Sequence, residues 1–179
     1  MMGDGGMTGG WGTQSSRYLS LDQAARFLQQ TTASAQVDKV RDRVTFSGKR
    51  IFIAAAAVQP GFPDTTFEVA GLVDPAVIVP AGATITLLLV NMDFGSDMEH
   101  GVVITEVPLP YPIMSMMGIA GALSGVPVLQ PRTLEDAKTA RYAADSVTFR
   151  APSSGGTYYY LCQYRDHASK GMFGRFEIR

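Results

Sequence analysis

"GTYYYLCQYRDHASKGMFGRFEIR", residues 156–179, is the stretch on which the reading of this chain turns. "GTYYYLC" has the aromatic content of a strand, and "FGRFEI" begins a second strand just past Met172. Residues 163–172 form a loop tethered at both ends, and such a loop can aim the side chains of Cys162, His167 and Met172 at one point. A thiolate, an imidazole and a thioether together select a soft, redox-active metal. Thiolate and imidazole give strong in-plane bonds, and the methionine sulfur gives a weak, long axial one. Copper fits this set best. A third strong ligand is required, and the chain has only two histidines. The other is His100, immediately before the strand-like "GVVIT", so a copper site uses every cysteine and histidine present.

Taken singly, these residues have ordinary readings. A lone cysteine at a strand end is usually a small buried hydrophobe. A lone histidine before an apolar run is usually a hydrogen-bonded core residue, and Met172 beside Phe173 would ordinarily be core. Their agreement in spacing, on a β-rich background, favours the metal site. The three tyrosines read as packing: alternate side chains of a strand share a face, so Tyr158 and Tyr160 point one way and Tyr159 the other.

From residue 43 onward the apolar period is that of strands. "RVTF" and "RIFIAAAAV" flank "SGK" as a hairpin. "TTFEVAG", "AVIVPAGATITLLLVNMD", "HGVVITEV" and "DSVTFRAP" follow, rich in β-branched residues and punctuated by Gly and Pro. About seven or eight short strands with few helices imply a β-sandwich or Greek-key barrel. The clearest helix signal lies near the start, where Ser20 and Gln23 can form a capping box and Leu21, Ala24, Ala25 and Leu28 make one apolar stripe. Residues 106–145 show little strand pattern. Their first part, with Pro110, Pro112, Ile113, Met114, Met116 and Met117, is too apolar for a solvated linker, while "TLEDAKTAR" suggests a helical turn.

A chain of 179 residues with 46% hydrophobic content suffices for one well-cored domain and is thin for two. The expected organisation is a flexible Gly-rich leader over 1–16 and a single domain over 17–179. The formal charge of −1, without any Lys/Arg block, removes nucleic acid as a partner. The single cysteine allows no internal disulfide, CxxC redox motif or Cys-rich zinc site. The leader lacks the basic region and apolar run of a signal peptide, and no apolar stretch approaches the roughly 20 residues that span a bilayer.

These residues resemble a known family, the type 1 blue copper proteins or cupredoxins, and within it the rusticyanin branch. "VTFSGK", "AAAVQPGFP" followed by "FEV", "VPAGAT", "GTYYYLCQ" and "GMFG" stand in rusticyanin-like order over most of the chain. The resemblance implies an all-β, cupredoxin-like Greek-key β-sandwich, to which the short N-terminal helix and the long Met/Pro-rich loop are that branch's additions. It implies one type 1 copper, with His100, Cys162 and His167 as equatorial ligands, Met172 as the axial one, and the outer edge of the His167 ring near the surface. It also implies a soluble, monomeric one-electron carrier working between redox proteins such as cytochromes, in the periplasm or otherwise outside the cytoplasm. Two departures touch the site. Gly101 stands where rusticyanin-like chains carry serine after the upstream ligand. Its N–H can bond the cysteine sulfur, while a serine there is expected to add a hydroxyl bond to the ligand loop. Arg165 and Asp166 replace a Pro-Gly pair, which removes a rigid turn.

Other function classes fit less well. Copper nitrite reductases and oxidases add further histidine-rich sites, commonly with a histidine beside the cysteine, and here that neighbour is Gln163. A Cys–His hydrolase needs a supporting residue and oxyanion donors that this spacing does not set up. The reading is therefore a carrier and not an enzyme. Copper storage or delivery is the alternative function, and it favours an exposed, Met-rich Cu(I) site. Met114, Met116 and Met117 read first as a cap that shields the copper, a role compatible with a docking face around His167.

Overall fold

Strands dominate the described chain, residues 17–111 and 121–179 of the computed structural model. The Gly-rich leader and the segment with Pro112, Ile113, Met114, Met116 and Met117 lie outside the described residues. In chain order the elements are β1 (Arg17–Ser20), α1 (Leu21–Ser34), β2 (Ala35–Asp38), β3 (Arg43–Phe46), β4 (Arg50–Ala57), β5 (Phe67–Val69), β6 (Leu72–Val73), β7 (Ala76–Val79), β8 (Thr84–Asn91), β9 (His100–Thr105), β10 (Ala122–Leu129), α2 (Leu134–Thr139), β11 (Arg141–Arg150), β12 (Gly156–Leu161) and β13 (Phe173–Ile178). They form a six-stranded sheet, β1-β11-β8-β4-β5-β6, and a seven-stranded sheet, β10-β9-β12-β13-β7-β3-β2.

Strands β4 and β8 run parallel from Arg50↔Thr84 to Ala57↔Asn91, and both faces of this pair are covered. Ile51, Ile53, Ala55 and Ala57, with Ile85, Leu87 and Leu89, point into the core between the sheets. Ala54, Ala56, Leu88 and Val90 point the other way and meet Ala24 and Leu28 of α1. The alanine run in β4 is thus explained: small side chains let the helix lie close, and the buried Thr31 hydroxyl accepts the Ala54 N–H at 2.7 Å. The capping box on α1 is present, with the Ser20 hydroxyl accepting from Gln23 N–H and Gln23 Oε1 accepting from Ser20 N–H. The buried stripe is Ala24, Leu28 and Thr31, whereas Leu21 is exposed.

Several sequence expectations are corrected. "RVTF" and "RIFIAAAAV" do not pair as a hairpin: β3 pairs with β2 and β7 in one sheet, and β4 with β5 and β8 in the other. Val44 and Phe46 and then Ile51 and Ile53 all enter the same core, so the chain must cross between the layers at "SGK", where Gly48 has φ +101°. Strands β1, β2, β6 and β10 were also not anticipated. β10 lies within the supposed loop and pairs antiparallel with β9. The helical turn in "TLEDAKTAR" is α2, and Tyr160 faces the main core while Tyr159 packs in a separate small cluster.

Candidate metal centre

Strand register brings the candidate ligands together. β12 pairs with β13 through Leu161↔Phe173 and with β9 through Leu161↔Val103, so the end of β12, the start of β13 and the start of β9 adjoin. Cys162 follows β12 directly, Met172 precedes β13 directly, and His100 opens β9. The Cys162 N–H donates to the Met172 carbonyl at 3.1 Å and the Met172 N–H donates to the His167 carbonyl at 3.0 Å, which closes the loop. Cys162 and Met172 belong to the inter-sheet core cluster, so the site sits at one end of that core.

The ligand atoms of His100, Cys162 and His167 lie within 4.8 Å of one another, and all three residues are buried. Among the described residues no other group of three His, Cys, Asp or Glu side chains is so placed. Cys162 Sγ is 3.8 Å from Nδ1 of His100 and 3.6 Å from Nδ1 of His167. One metal bonded to thiolate and imidazole at about 2.0–2.3 Å, with angles of about 110–120°, requires S···N separations of about 3.6–3.8 Å. The spacing fits a single ion. Met172 is fully buried beside these residues.

Each histidine has its far nitrogen engaged. Nε2 of His100 is 2.9 Å from Asp93 Oδ2, and Nε2 of His167 is 3.1 Å from the Asp97 carbonyl. Both acceptors require an Nε2–H, so Nδ1 of each ring is left with its lone pair facing the sulfur. Burial pushes the His167 pKa down, aided by the charge of His100, and the bond to Asp97 opposes this. Burial pushes the Cys162 thiol up to about 11, against the backbone N–H groups of Gly101 and Tyr164, which donate to the sulfur. A metal ion must therefore displace the thiol proton to bind.

The Gly101 N–H thus acts on the sulfur in the expected sense, favouring the thiolate. The room expected for a serine side chain is not present: a Cβ at Gly101 would stand 2.5 Å from Gln163 Nε2 and 2.7 Å from its Cδ and Oε1. Gln163 fills that space and donates from Nε2 to the Val126 carbonyl of β10 at 2.9 Å. The turn expected to be lost with Pro-Gly is kept. His167 N–H donates to the Tyr164 carbonyl at 3.3 Å, and Asp166 takes φ +59°, the third position of a type II turn that glycine ordinarily fills. The ring edge of His167 is covered as well, since the residue is 2% exposed and its Nε2–H is taken by Asp97.

Sequence reasoning named His100, Cys162, His167 and Met172 as candidates; it did not single out Asp93, Asp97 or Asn91, and it read Gln163 only as the neighbour of the cysteine. The available signal was the short interval between β8 and His100, in which any carboxylate or carbonyl must lie near the ligand ring.

A buried cysteine sulfur and two imidazoles converging at one end of a two-sheet sandwich define a type 1 blue copper protein with a cupredoxin fold, and the residues present fit one copper. The chain is 33% identical over 178 residues to the rusticyanin of Acidithiobacillus ferrooxidans, covering 98% of this chain and 100% of that one. It is 34% identical to the rusticyanin of Acidithiobacillus ferridurans, over 96% and 88% of the two chains. The crystal structure of rusticyanin from Thiobacillus ferrooxidans superposes with a TM-score of 0.79 at 31% identity, covering 93% of this chain and 98% of that one. No protein-family model matches the chain. The chain belongs to the rusticyanin family, and it is a copper-containing electron carrier. Among the described residues no helix is long and apolar enough to cross a membrane.

Proposed function

We propose that His100, Cys162 and His167 hold the copper as equatorial ligands and that Met172 is the axial ligand. The observation that carries this is the pair of S···N separations, 3.8 and 3.6 Å, with both Nδ1 atoms turned to the sulfur. Bound copper supplies a one-electron couple between Cu(II) and Cu(I). The protein residues hold the donor atoms in place through the loop hydrogen bonds and the tethered Nε2–H groups, and burial excludes water. A rigid, closed donor set favours electron carriage, because little must rearrange between oxidation states. It disfavours storage or delivery, which calls for an accessible site.

His167 is separated from the exposed Asp97 by one hydrogen bond, which makes that carbonyl a short route between site and surface. Partners are then redox proteins such as cytochromes, which take or give one electron without chemical conversion of a substrate. Family membership supports a monomer working in the periplasm or elsewhere outside the cytoplasm. The test is addition of Cu(II) to the purified protein with optical and EPR spectra of wild type and Cys162→Ser. An intense thiolate-to-Cu(II) band is expected in the first and none in the second. Its persistence in the serine variant would overturn the ligand assignment.

A further inference from the structure

The two candidate histidine ligands differ in what receives their outer proton. Nε2 of His167 meets a neutral peptide carbonyl, that of Asp97, whereas Nε2 of His100 meets the Asp93 carboxylate at 2.9 Å. The His100 side chain is 0% exposed and that of Asp93 12%, so this contact is largely shielded from solvent.

The carboxylate is held by its surroundings. Its other oxygen, Oδ1, accepts the Phe94 N–H at 2.8 Å, while the Asp93 N–H donates to Asn91 Oδ1 at 3.0 Å. The Asp93 carbonyl accepts the Arg132 N–H at 2.8 Å. Asn91 is fully buried and donates from Nδ2 to the carbonyls of Met98 and Leu129, which ties the end of β8 to the end of β10 and to the segment leading into His100. Asp93 therefore stands at the first corner after β8, aimed at one nitrogen of one ring.

A negative acceptor draws the Nε2 proton more strongly than a carbonyl does and leaves more electron density on Nδ1. A stronger nitrogen donor stabilises the more highly charged Cu(II) over Cu(I). We infer that Asp93 is a positioning residue that fixes the Nε2–H tautomer of His100 and biases the centre toward its oxidised state, so that the midpoint potential is lower than it would be with a neutral amide acceptor at position 93. The inference rests on the proposed ligand set.

Asp93→Asn is the test, because the amide oxygen can still accept the Nε2–H while the negative charge is removed. In the copper-loaded variant the thiolate band is expected to stay. The Cu(II)/Cu(I) ratio at a fixed ambient potential should fall about tenfold, a rise of about 59 mV for a one-electron couple. An intact band with an unchanged or lowered potential overturns the inference and leaves the ligand set standing. Failure of the ligand set reads differently: His100→Ala would then keep the wild-type optical and EPR spectra. Should Asp93→Asn not fold, the wild type suffices. In the 15N-labelled, copper-loaded protein reduced with ascorbate, the Nε2–H proton of His100 is expected downfield of that of His167, and equal or reversed shifts overturn the inference.

Discussion

Replacing Gly101 by alanine should have opposite effects in two backgrounds. Gly101 has no positive φ, so its backbone accepts a side chain, and glycine-to-alanine at such a position ordinarily stabilises by about 0.4–1 kcal/mol through the unfolded chain. Here the new Cβ would stand 2.5–2.7 Å from three atoms of the Gln163 amide. Carbon needs roughly 3.5 Å, so the amide must move by about 1 Å. That movement breaks its bond to the Val126 carbonyl, a 2.9 Å contact. A partly buried acceptor that loses its donor costs about 1–3 kcal/mol. The balance is a net destabilisation of about 1–2 kcal/mol for Gly101→Ala alone.

In a Gln163→Ala background the space is already open and the Val126 bond already gone. Gly101→Ala should there stabilise, leaving a coupling energy of about 2 kcal/mol between the two positions. Equilibrium urea unfolding of the four proteins measures it. Effects of the same sign in both backgrounds, additive within about 0.5 kcal/mol, would refute the steric argument. Gly101→Ser should behave like the alanine variant, since its Oγ starts from the same obstructed Cβ.

Asp166→Gly should raise the urea midpoint, because glycine takes φ +59° without strain and the ion pair lost with Lys170 is exposed; a lowered midpoint would show that the pair outweighs the strain. Asp74 governs a pH effect: burial, assisted by the charge of Asp42, raises its pKa to about 7 in the folded protein, from an ordinary value of 3.8. The fold then binds a proton the unfolded chain has released, so this stability is full below pH 4 and is lost as pH rises to 7. Asp74→Asn, which keeps an acceptor for the Phe67 N–H, should remove about 4 kcal/mol of the change in unfolding free energy between pH 4 and pH 8; an unchanged pH dependence counts against it. Met172→Leu should leave copper bound and coloured and raise the potential by roughly tens of millivolts in film voltammetry, as a weak axial donor to Cu(II) is lost. Loss of copper would mean that Met172 acts otherwise.

The candidate ligands were legible in the sequence because few residue types can do their work. A single cysteine and two histidines leave almost no freedom of assignment once the terminal loop is recognised. Central strands were legible for a similar reason, since β4 and β8 carry long apolar runs, Ile51–Ala57 and Leu87–Val90. β10 was not, because "ALSGVPVL" carries Gly125 and Pro127. The structure explains both: a Cβ at Gly125 would lie 2.8 Å from the Val102 carbonyl of β9, and Pro127 falls within the register shift between Val126 and Leu129 on an edge strand. Local chemistry that argues against a strand is here what lets β10 close over β9.

The residues around the ligands were illegible for a different reason. Asp, Asn and Gln are common, and what each does depends on which backbone groups and rings the strand register sets beside it. Gln163 reads in sequence as the residue that is not a second histidine. In the fold it occupies the volume that Gly101 leaves open and pins the ligand loop to β10. Gly101 reads as a missing hydroxyl, yet its N–H still reaches the Cys162 sulfur, and the segment is braced by its neighbour's side chain instead of its own. The same holds for Arg165 and Asp166, which keep the turn of the Pro-Gly pair by placing an aspartate at positive φ and securing it to Lys170. A departure beside a ligand is thus interpreted by the space and hydrogen bonds it leaves, and on that ground the carboxylate of Asp93, more than the glycine at 101, is the feature that should tune this copper centre.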